Sequence, residues 1–489
     1  MGVLNYCDTL KILAPSTHSS RDQVRTASDA ATQSASDTPV SQGLDVPQRH
    51  WAALCQLLAI AMSVLDASMI NVGLPIIAQD LNISASLVVW VVNAFGLTVV
   101  ALLLPLSSVV ERFGLGRLFT TGLTLFMVGA AVSAASINLP MLLLGRIVQG
   151  MGAASIFCLS ATFVRSIYPP HLLSRGIGLV AMTVSVSAVV GPTLGSIILT
   201  LGSWRWLFAI MLPISAFLWV IKRHLPVTMR IQRSFDVVSA LLCAFGIGFL
   251  ILGLNFLVEH TGLALIAIAG AAGLLILLTR RSVQRTAPLF PVDLLQIRPL
   301  RFAIAASHLS FSSQMAAFVA LPFYLLNGLG RDQLMVGVLM AGWPAGAAVM
   351  SVVAGRLADR FPIPILCAIG AGCVSLSMAM ISGMNTNVGD GWVFVCMVLG
   401  GLGFGFFQTP NNRILLGSGP PERLGALGGL QAVTRVFGQT TGAALVASAF
   451  ALSQSNGPVY GLWVSMTFSS LAVALNIYRQ IGLKAHEQA

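Results

Sequence analysis

The sequence predicts an all-α integral membrane protein with fourteen transmembrane helices. Hydrophobic residues make up 56% of its 489 residues and charged residues only 9%, whereas soluble domains carry about 25% charged residues. Fourteen apolar segments are long enough, at roughly 20 residues each, to cross a bilayer as helices. The predicted architecture is two six-helix bundles related by an internal repeat, with two further helices inserted between them.

The predicted spans follow a polar N-terminal region. Residues 1–50 are rich in Ser, Thr, Asp and Gln and lack the pattern of a secretory signal, so we expect a disordered cytoplasmic tail there. In chain order the spans are Trp51–Ile77, Leu87–Val109, Leu118–Ser136, Pro140–Val164, Ser174–Leu201, Trp204–Ile221, Val237–Leu257, Gly262–Thr279, Phe302–Leu326, Met335–Ala354, Ile363–Met384, Trp392–Leu416, Leu424–Ala451 and Val459–Tyr478.

The positions of the cations support this count. Of the 27 Lys and Arg residues, all but four fall in the terminal regions or in even-numbered loops. The exceptions are Arg205 and Arg331 in odd-numbered loops, and Arg146 and Arg435 within spans. The positive-inside rule then places both termini in the cytoplasm. It also explains the net charge of +11 without nucleic acid, because the cations form no basic stripe.

Two pairs of similar elements indicate an internal repeat. Glu111–Arg112–Phe113 and Asp359–Arg360–Phe361 lie 248 residues apart, and GPTLG from Gly191 and GQTTG from Gly438 lie 247 residues apart. Both pairs are separated by eight spans, so six spans are repeated and two are inserted. We therefore expect an N-terminal bundle over residues 51–222, two inserted helices over 235–281, a cytoplasmic linker over 282–300 and a C-terminal bundle over 301–480.

Short loops and scattered cysteines exclude several classes of protein. The loops predicted outside the membrane are too short for a soluble enzyme domain, an ATP-binding cassette or a receptor ectodomain. Six of the seven cysteines lie in apolar segments and none forms a CxxC pair, so we expect neither disulfides nor a metal site.

One acidic and one basic residue lie deep in the first and fourth spans. Asp66 interrupts an otherwise apolar segment, and Arg146 lies in LLGRIVQGMGAA. A charge at the bilayer centre costs about 2.5–3.5 kcal/mol on insertion scales, so such residues usually bind ions, relay protons or pair with one another. We predict that Asp66 binds a proton, with a static charge pair or helix cap as the alternative.

Five motifs in order resemble the major facilitator superfamily, in particular its branch of fourteen-helix drug:proton antiporters. They are LDASMINVGLPIIAQDL from Leu65, the Arg146 motif, VVGPTLGS from Val189, WRWLF from Trp204 and FDVVSALL from Phe235. The resemblance covers about residues 51–478. The first loop motif departs from the family pattern, because Ser107 and Glu111 stand where Gly and Asp are usual.

The resemblance implies roles for several of these residues. Arg146 would be the partner of the proton site, with a fixed structural arginine as the alternative. Gly191, Pro192 and Gly195 would form a hinge and seal favouring export, or simply a tightly packed helix. A cytoplasmic latch would involve ion pairs of the loop motifs, although exposed pairs contribute only about 0–1 kcal/mol. The latch candidates are Glu111, Arg112, Arg117, Asp359 and Arg360.

Polar and aromatic residues within other spans are candidates for a substrate cavity. Gln149 lies one helical turn from Arg146 and can reach the same space, or it makes an interhelical hydrogen bond. His308 and Arg435 have structural roles as open alternatives. The candidate cavity residues are Asn93, Gln149, His308, Gln314, Trp343 and Arg435.

Together these features predict proton-coupled efflux of lipophilic or amphipathic small molecules across a bacterial inner membrane by alternating access. A proton-coupled importer or facilitator of one metabolite is the alternative, and a membrane enzyme lacks a supporting motif. We expect no cofactor besides the proton gradient, no nucleic acid partner and a monomer in the lipid bilayer, while a periplasmic adaptor stays open. Because Asp66 is the one acid well inside a span, neutral, zwitterionic, anionic or monovalent lipophilic substrates are expected over dications.

Overall fold

The computed structural model describes residues 44–225, 236–258, 260–283, 294–419, 424–453 and 455–487, and within them the regular secondary structure is entirely helical. Most of the predicted tail and residues 284–293 of the predicted linker lie outside these ranges, as do residues 226–235, 259, 420–423, 454 and 488–489. The prediction of an all-α membrane protein is confirmed. Thirteen of the described segments are long and apolar enough to cross a membrane, by length and composition.

Fourteen helices, α1 to α14, form the framework of the described chain. They are Val46–Asp80, Trp90–Phe113, Leu115–Ala134, Leu139–Ile167, Leu173–Leu201, Met211–Ile221, Val237–Asn255, Thr261–Val283, Arg298–Phe323, Gln333–Leu357, Ile363–Ser382, Asp390–Gly417, Leu424–Leu452 and Gly457–Glu487. Short helices precede α2 at Ala85–Val88 and α6 at Trp206–Ala209. Helix α13, the remaining one of the fourteen, has 29 residues and a single charged side chain, Arg435.

The first helix begins earlier than the hydropathy pattern predicts. Helix α1 starts at Val46 with a proline in its first turn, so residues 46–50 belong to this helix and not to a tail. Proline is suited to the first turn because the backbone N–H that it lacks would have no partner inside the helix there. Polar residues at a membrane surface can be helical, and for that reason hydropathy alone places the start too late.

The packing of the helices repeats with a shift of eight. Helix α1 packs on α5, α2 on α4, and α3 on α4 and α6; in the same way α9 packs on α13, α10 on α12, and α11 on α12 and α14. Two six-helix bundles therefore have one internal architecture, as the paired motifs predict. Contacts of α5 with α10 and of α13 with α2 join the bundles. Repeated bundles of this kind place a substrate site at their interface.

These contacts close the interface on the side of the membrane opposite the chain termini. The Thr193 hydroxyl of α5 donates to the Gly337 carbonyl of α10 at 3.5 Å. The Gln333 side chain donates to the Val72 carbonyl of α1 at 3.2 Å. All four residues lie in the halves of their helices on that side. The two halves are therefore held together there by backbone approach and hydrogen bonds.

The inserted helices α7 and α8 pack on each other, and α7 contacts one helix of each bundle. Asn93 of α2 donates to the side-chain oxygen of Asn255 of α7 at 3.1 Å, and Ser448 of α13 donates to the Leu254 carbonyl at 2.9 Å. Helix α7 is thus tied to both halves.

At the other end of α7, burial raises the pKa of Asp236, but hydrogen bonds from Arg281 and Ser239 outweigh this effect and lower the pKa of Asp236 to about 2.

Replacing Asn255 by Ala is expected to destabilise the protein by about 1–3 kcal/mol, because Asn93 would keep a buried amide group without its partner. Thermal unfolding of the purified protein in detergent measures the effect. The double variant Asn93→Leu, Asn255→Leu is the control, since it removes both polar groups. It should unfold at a higher temperature than Asn255→Ala, and the reverse order would contradict the role of this hydrogen bond.

Candidate functional site

Asp66 and Arg146 form a buried ion pair between α1 and α4. One carboxylate oxygen of Asp66, Oδ2, lies 2.6 Å from Nη1 of Arg146. The other, Oδ1, accepts a hydrogen bond from Nε2 of Gln149 at 2.8 Å, and Gln149 in turn accepts one from Arg146 at 2.8 Å. The three side chains are at most 3% exposed. They therefore form a closed triangle of charge-assisted hydrogen bonds.

The guanidinium of Arg146 is also held by its surroundings. Its Nε donates to the carbonyl of Val91 in α2 at 3.0 Å, and its Cζ lies 4.3 Å from the ring centre of Phe95 and 5.6 Å from that of Phe208. Its Nη2 has no partner within the described residues. Helices α1, α2 and α4 and the short helix Trp206–Ala209 thus all contribute to the position of this cation.

A cavity of about 250 Å³ lies beside the ion pair, between the two bundles. Helices α1, α2, α4 and α5 line it from one half, and α9, α10, α12 and α13 line it from the other. Its wall contains polar amides among many apolar and aromatic side chains, as the walls of other small-molecule sites do. Its volume is slightly below the range of such sites, which begins at about 300 Å³. The aromatic residues are Phe95, Phe157, Phe311, Phe318, Trp343 and Phe404.

Arg146 connects the ion pair to this cavity. It lines the cavity wall, whereas the side chain of Asp66 is 1% exposed and is covered by Arg146 and Gln149. A proton from the cavity therefore reaches the carboxylate only when one of these two side chains moves. In this arrangement a proton can replace Arg146 as the partner of the Asp66 carboxylate.

The predicted hinge motif packs against the helix that carries Asp66. A Cβ on Gly191 would overlap the Ser68 side chain, and one on Gly195 would lie 3.2 Å from the Met69 backbone. The Pro192 carbonyl faces α10, where a Cβ on Gly337 would lie 2.9 Å from it. Helix α5 runs continuously through Pro192. The motif thus lies between the helix that carries Asp66 and the closed contact of the two halves, and its role as a hinge stays a prediction.

Three of the six predicted cavity residues line the cavity as the sequence predicts. They are Gln314, Trp343 and Arg435. Gln149 instead bonds to Asp66, which was its alternative reading.

The other two predicted cavity residues, Asn93 and His308, lie outside the cavity wall. Asn93 faces α7 and bonds to Asn255. His308 packs against Phe437 of α13, with ring centres 4.9 Å apart. Both side chains face neighbouring helices because their helices are surrounded by others on several sides.

The structure gives partial information on the cytoplasmic latch. Asp359 pairs with Arg413 at the end of α12, in its own half, and both side chains are more than half exposed. Arg117 is exposed. The side chains of Glu111 and Arg112 lie outside the described part of the structure. A latch between the halves therefore stays a prediction, and the Asp359–Arg413 pair is one that the motifs do not reveal.

Sequence reasoning missed several polar residues of the cavity. Asn71, Gln408 and Gln439 line it with their amides. Asn71 and Gln439 are isolated amides within apolar segments, which is the same signal that indicated Gln314. Single amides in spans are thus informative, but they do not show which side of the helix faces the cavity.

Comparison with known proteins agrees with this geometry. Residues 57–443 match the sequence model of the Major Facilitator Superfamily. The chain is 36% identical over 446 residues to the uncharacterized transporter YebQ of Escherichia coli K12, covering 89% of this chain and 96% of that protein. It is 28% identical to the riboflavin transporter RibZ of Clostridioides difficile, over 83% of this chain and 89% of that protein.

A further relative is the multidrug resistance protein Stp of Mycobacterium tuberculosis, with 26% identity over 84% of this chain and 75% of that protein. Among solved structures, a bacterial homologue of the human lysosomal transporter Spinster, in an inward-facing and unoccupied conformation, superposes with a TM-score of 0.64. That alignment covers 88% of this chain and 97% of the other, at 13% identity. This likeness concerns the fold.

Proposed function

The chain belongs to the major facilitator superfamily and is a multi-pass membrane transporter, not an enzyme, and we propose that it exports lipophilic or amphipathic small molecules in exchange for protons. The observation that carries this proposal is the buried Asp66–Arg146 pair at the wall of a cavity between the two bundles. A titratable carboxylate beside a substrate cavity is the simplest way to link proton binding to substrate binding. We further propose a bacterial inner membrane with both termini in the cytoplasm.

Coupling follows from competition between Arg146 and a proton for the carboxylate of Asp66. Protonation of Asp66 removes the charge that attracts the guanidinium, so that Arg146 turns towards the cavity and the triangle with Gln149 opens. Deprotonation restores the pair. Each state of Asp66 thus favours a different arrangement of α1 and α4, and rocking of the halves about the α5–α10 and α2–α13 contacts would expose the site alternately.

Export is favoured over import by two features. The GPTLG segment at Gly191 resembles the antiporter motif of the branch, and one relative carries the name of a multidrug resistance protein. The second candidate, a transporter of one specific metabolite, is supported by the relative that is named a riboflavin transporter. Both candidates use the same cavity, and they differ in the direction of substrate movement relative to the proton.

Transport in proteoliposomes with an imposed pH gradient tests the proposal. Compounds from a panel of amphipathic molecules with fixed charge or no titratable group should accumulate in the acidic compartment, because an antiporter moves substrate against the flow of protons. Accumulation in the alkaline compartment would instead support a symporter and contradict export. Protein-free vesicles control for passive distribution. If no compound moves with the gradient, proton coupling is rejected.

A further inference from the structure

The cavity contains one positive charge that no acidic residue of its wall balances. Among the described residues, Arg146 and Arg435 are the charged ones that line it, and no Asp or Glu does. Arg146 is neutralised by Asp66 at 2.6 Å. Arg435, in the middle of α13, has no ion pair and no hydrogen bond within the described residues. The ring of Phe157 in the other half lies beside it, with the ring centre 5.8 Å from the guanidinium carbon.

Two further donors of the cavity wall have no partner. Nη2 of Arg146 and Nε1 of Trp343 make no hydrogen bond within the described part of the chain, and because both side chains are fully buried, each atom reaches a ligand only when its side chain turns towards the cavity. Buried polar groups normally have partners, and an unmet one is costly. The wall also has one unmet acceptor, Oδ1 of Asn71, which a hydroxyl or N–H group could fill. Donors therefore exceed acceptors among the unsatisfied groups.

We propose that Arg435 is the anchor for an anionic group, so that the cargo is an amphipathic anion with an aromatic or lipophilic body. This inference deepens the proposed function, since only that function makes the ligand a transported one. A carboxylate, sulfonate or phosphate accepts charge-assisted hydrogen bonds from guanidinium groups, which are the strongest of the common hydrogen bonds in proteins.

The rest of the wall fits the body of such a ligand. The rings of Phe157, Phe311, Phe318 and Phe404 offer apolar and aromatic contact near Arg435 and Trp343. A cationic compound would meet the unbalanced guanidinium in a medium of low dielectric constant, where like charges repel strongly. The site therefore discriminates by charge and accepts many shapes of ring.

Binding to the purified protein tests this inference without proton coupling. The probes are three naphthalenes with one ring system: naphthalene-2-sulfonate as the anion, naphthalene-2-sulfonamide as the neutral analogue and trimethyl(naphthylmethyl)ammonium as the cation. Calorimetry in detergent should show the sulfonate binding about tenfold or more tightly than the other two, as a charge-assisted contact provides. In Arg435→Gln this preference should disappear, while Arg435→Lys should retain part of it.

The controls separate a lost anchor from a misfolded protein. Arg301→Gln removes the same charge from an exposed position at the start of α9 and should leave the preference intact. The sulfonamide should bind equally to wild type and Arg435→Gln, which shows that the cavity is still formed. Tighter binding of the cation, or an unchanged preference in Arg435→Gln, would overturn the inference.

The two proposals fail in different ways. Sulfonate binding that depends on Arg435, without movement driven by a pH gradient, would retain the anion site and reject proton-driven export. Gradient-driven transport of the cation or the sulfonamide that is unaffected in Arg435→Gln would retain export and reject the anion site.

Discussion

The variant Asp66→Asn should bind substrate but no longer accumulate it in response to a pH gradient. Asparagine keeps the size of the side chain and an oxygen that accepts from Arg146, but it cannot take up or release a proton. Proton-driven accumulation should therefore fall to the level of protein-free vesicles. Exchange of labelled for unlabelled substrate at equal pH should continue, because it requires the cavity and the movement of the halves but no net proton transfer.

The same variant should be less stable than the wild type. Removing one partner of a buried ion pair leaves the other charge uncompensated, at a cost of about 3–5 kcal/mol, and here Arg146 is fully buried. The hydrogen bonds to Val91 and Gln149 offset part of this cost. Thermal unfolding in detergent should show the loss, and it also verifies that the transport assay is made on folded protein.

The matched control is Asp80→Asn, the same change at the end of the same helix. Asp80 pairs with Arg205 at 3.1 Å, with its side chain 46% exposed, and lies away from the cavity. This variant should accumulate substrate at the wild-type rate. Accumulation at that rate in Asp66→Asn would end the proposed coupling role of Asp66.

The second large effect is expected for Gly401→Ala in α12. The backbone of Gly401 lies directly against that of Trp343 in α10, and an added Cβ would overlap the Trp343 carbonyl oxygen and lie 2.7 Å from its carbon. Close approach of helices through small residues is a general feature of membrane proteins. Separating the helices should cost about 1–3 kcal/mol or more and displace Trp343 from the cavity wall.

Unfolding temperature and substrate binding measure this effect together. Gly417→Ala is the control in the same helix, because a Cβ there meets nothing within 4 Å. It should match the wild type in both measurements. If Gly401→Ala were as stable as Gly417→Ala, the close backbone contact of α10 and α12 would not be required for the fold.

Much of the fold was predictable because membrane insertion depends on the length and hydrophobicity of each local segment. Apolar stretches of sufficient length become helices wherever they occur, and short basic loops orient them. The start of α1 was placed too late because Val46–His50 is polar yet helical. Amphipathic first turns at a membrane surface follow local helix preferences, which hydropathy does not measure.

The candidate site was predictable at its charged residues, because a charged side chain within the membrane has a high free-energy cost. The cost of a charge in the membrane singles out Asp66 and Arg146, the family resemblance implies that Arg146 is the partner of Asp66, and the two side chains lie in contact. No such argument fixes uncharged polar residues. Asn93 and Gln314 are both single amides in apolar spans, yet Asn93 bonds to α7 and Gln314 lines the cavity.

The sequence by itself determined the membrane-spanning helices, the repeated halves and the presence of one acid and one base deep in two of the spans. The helices and the importance of the two charges follow from the cost of leaving polar groups in hydrocarbon, which acts residue by residue along the chain, and the repeat follows from the paired motifs. Only the tertiary structure decided that Arg435 faces the cavity while His308 of α9 packs against Phe437. The direction in which a side chain points depends on which neighbours surround its helix, and that information is distributed over all fourteen helices.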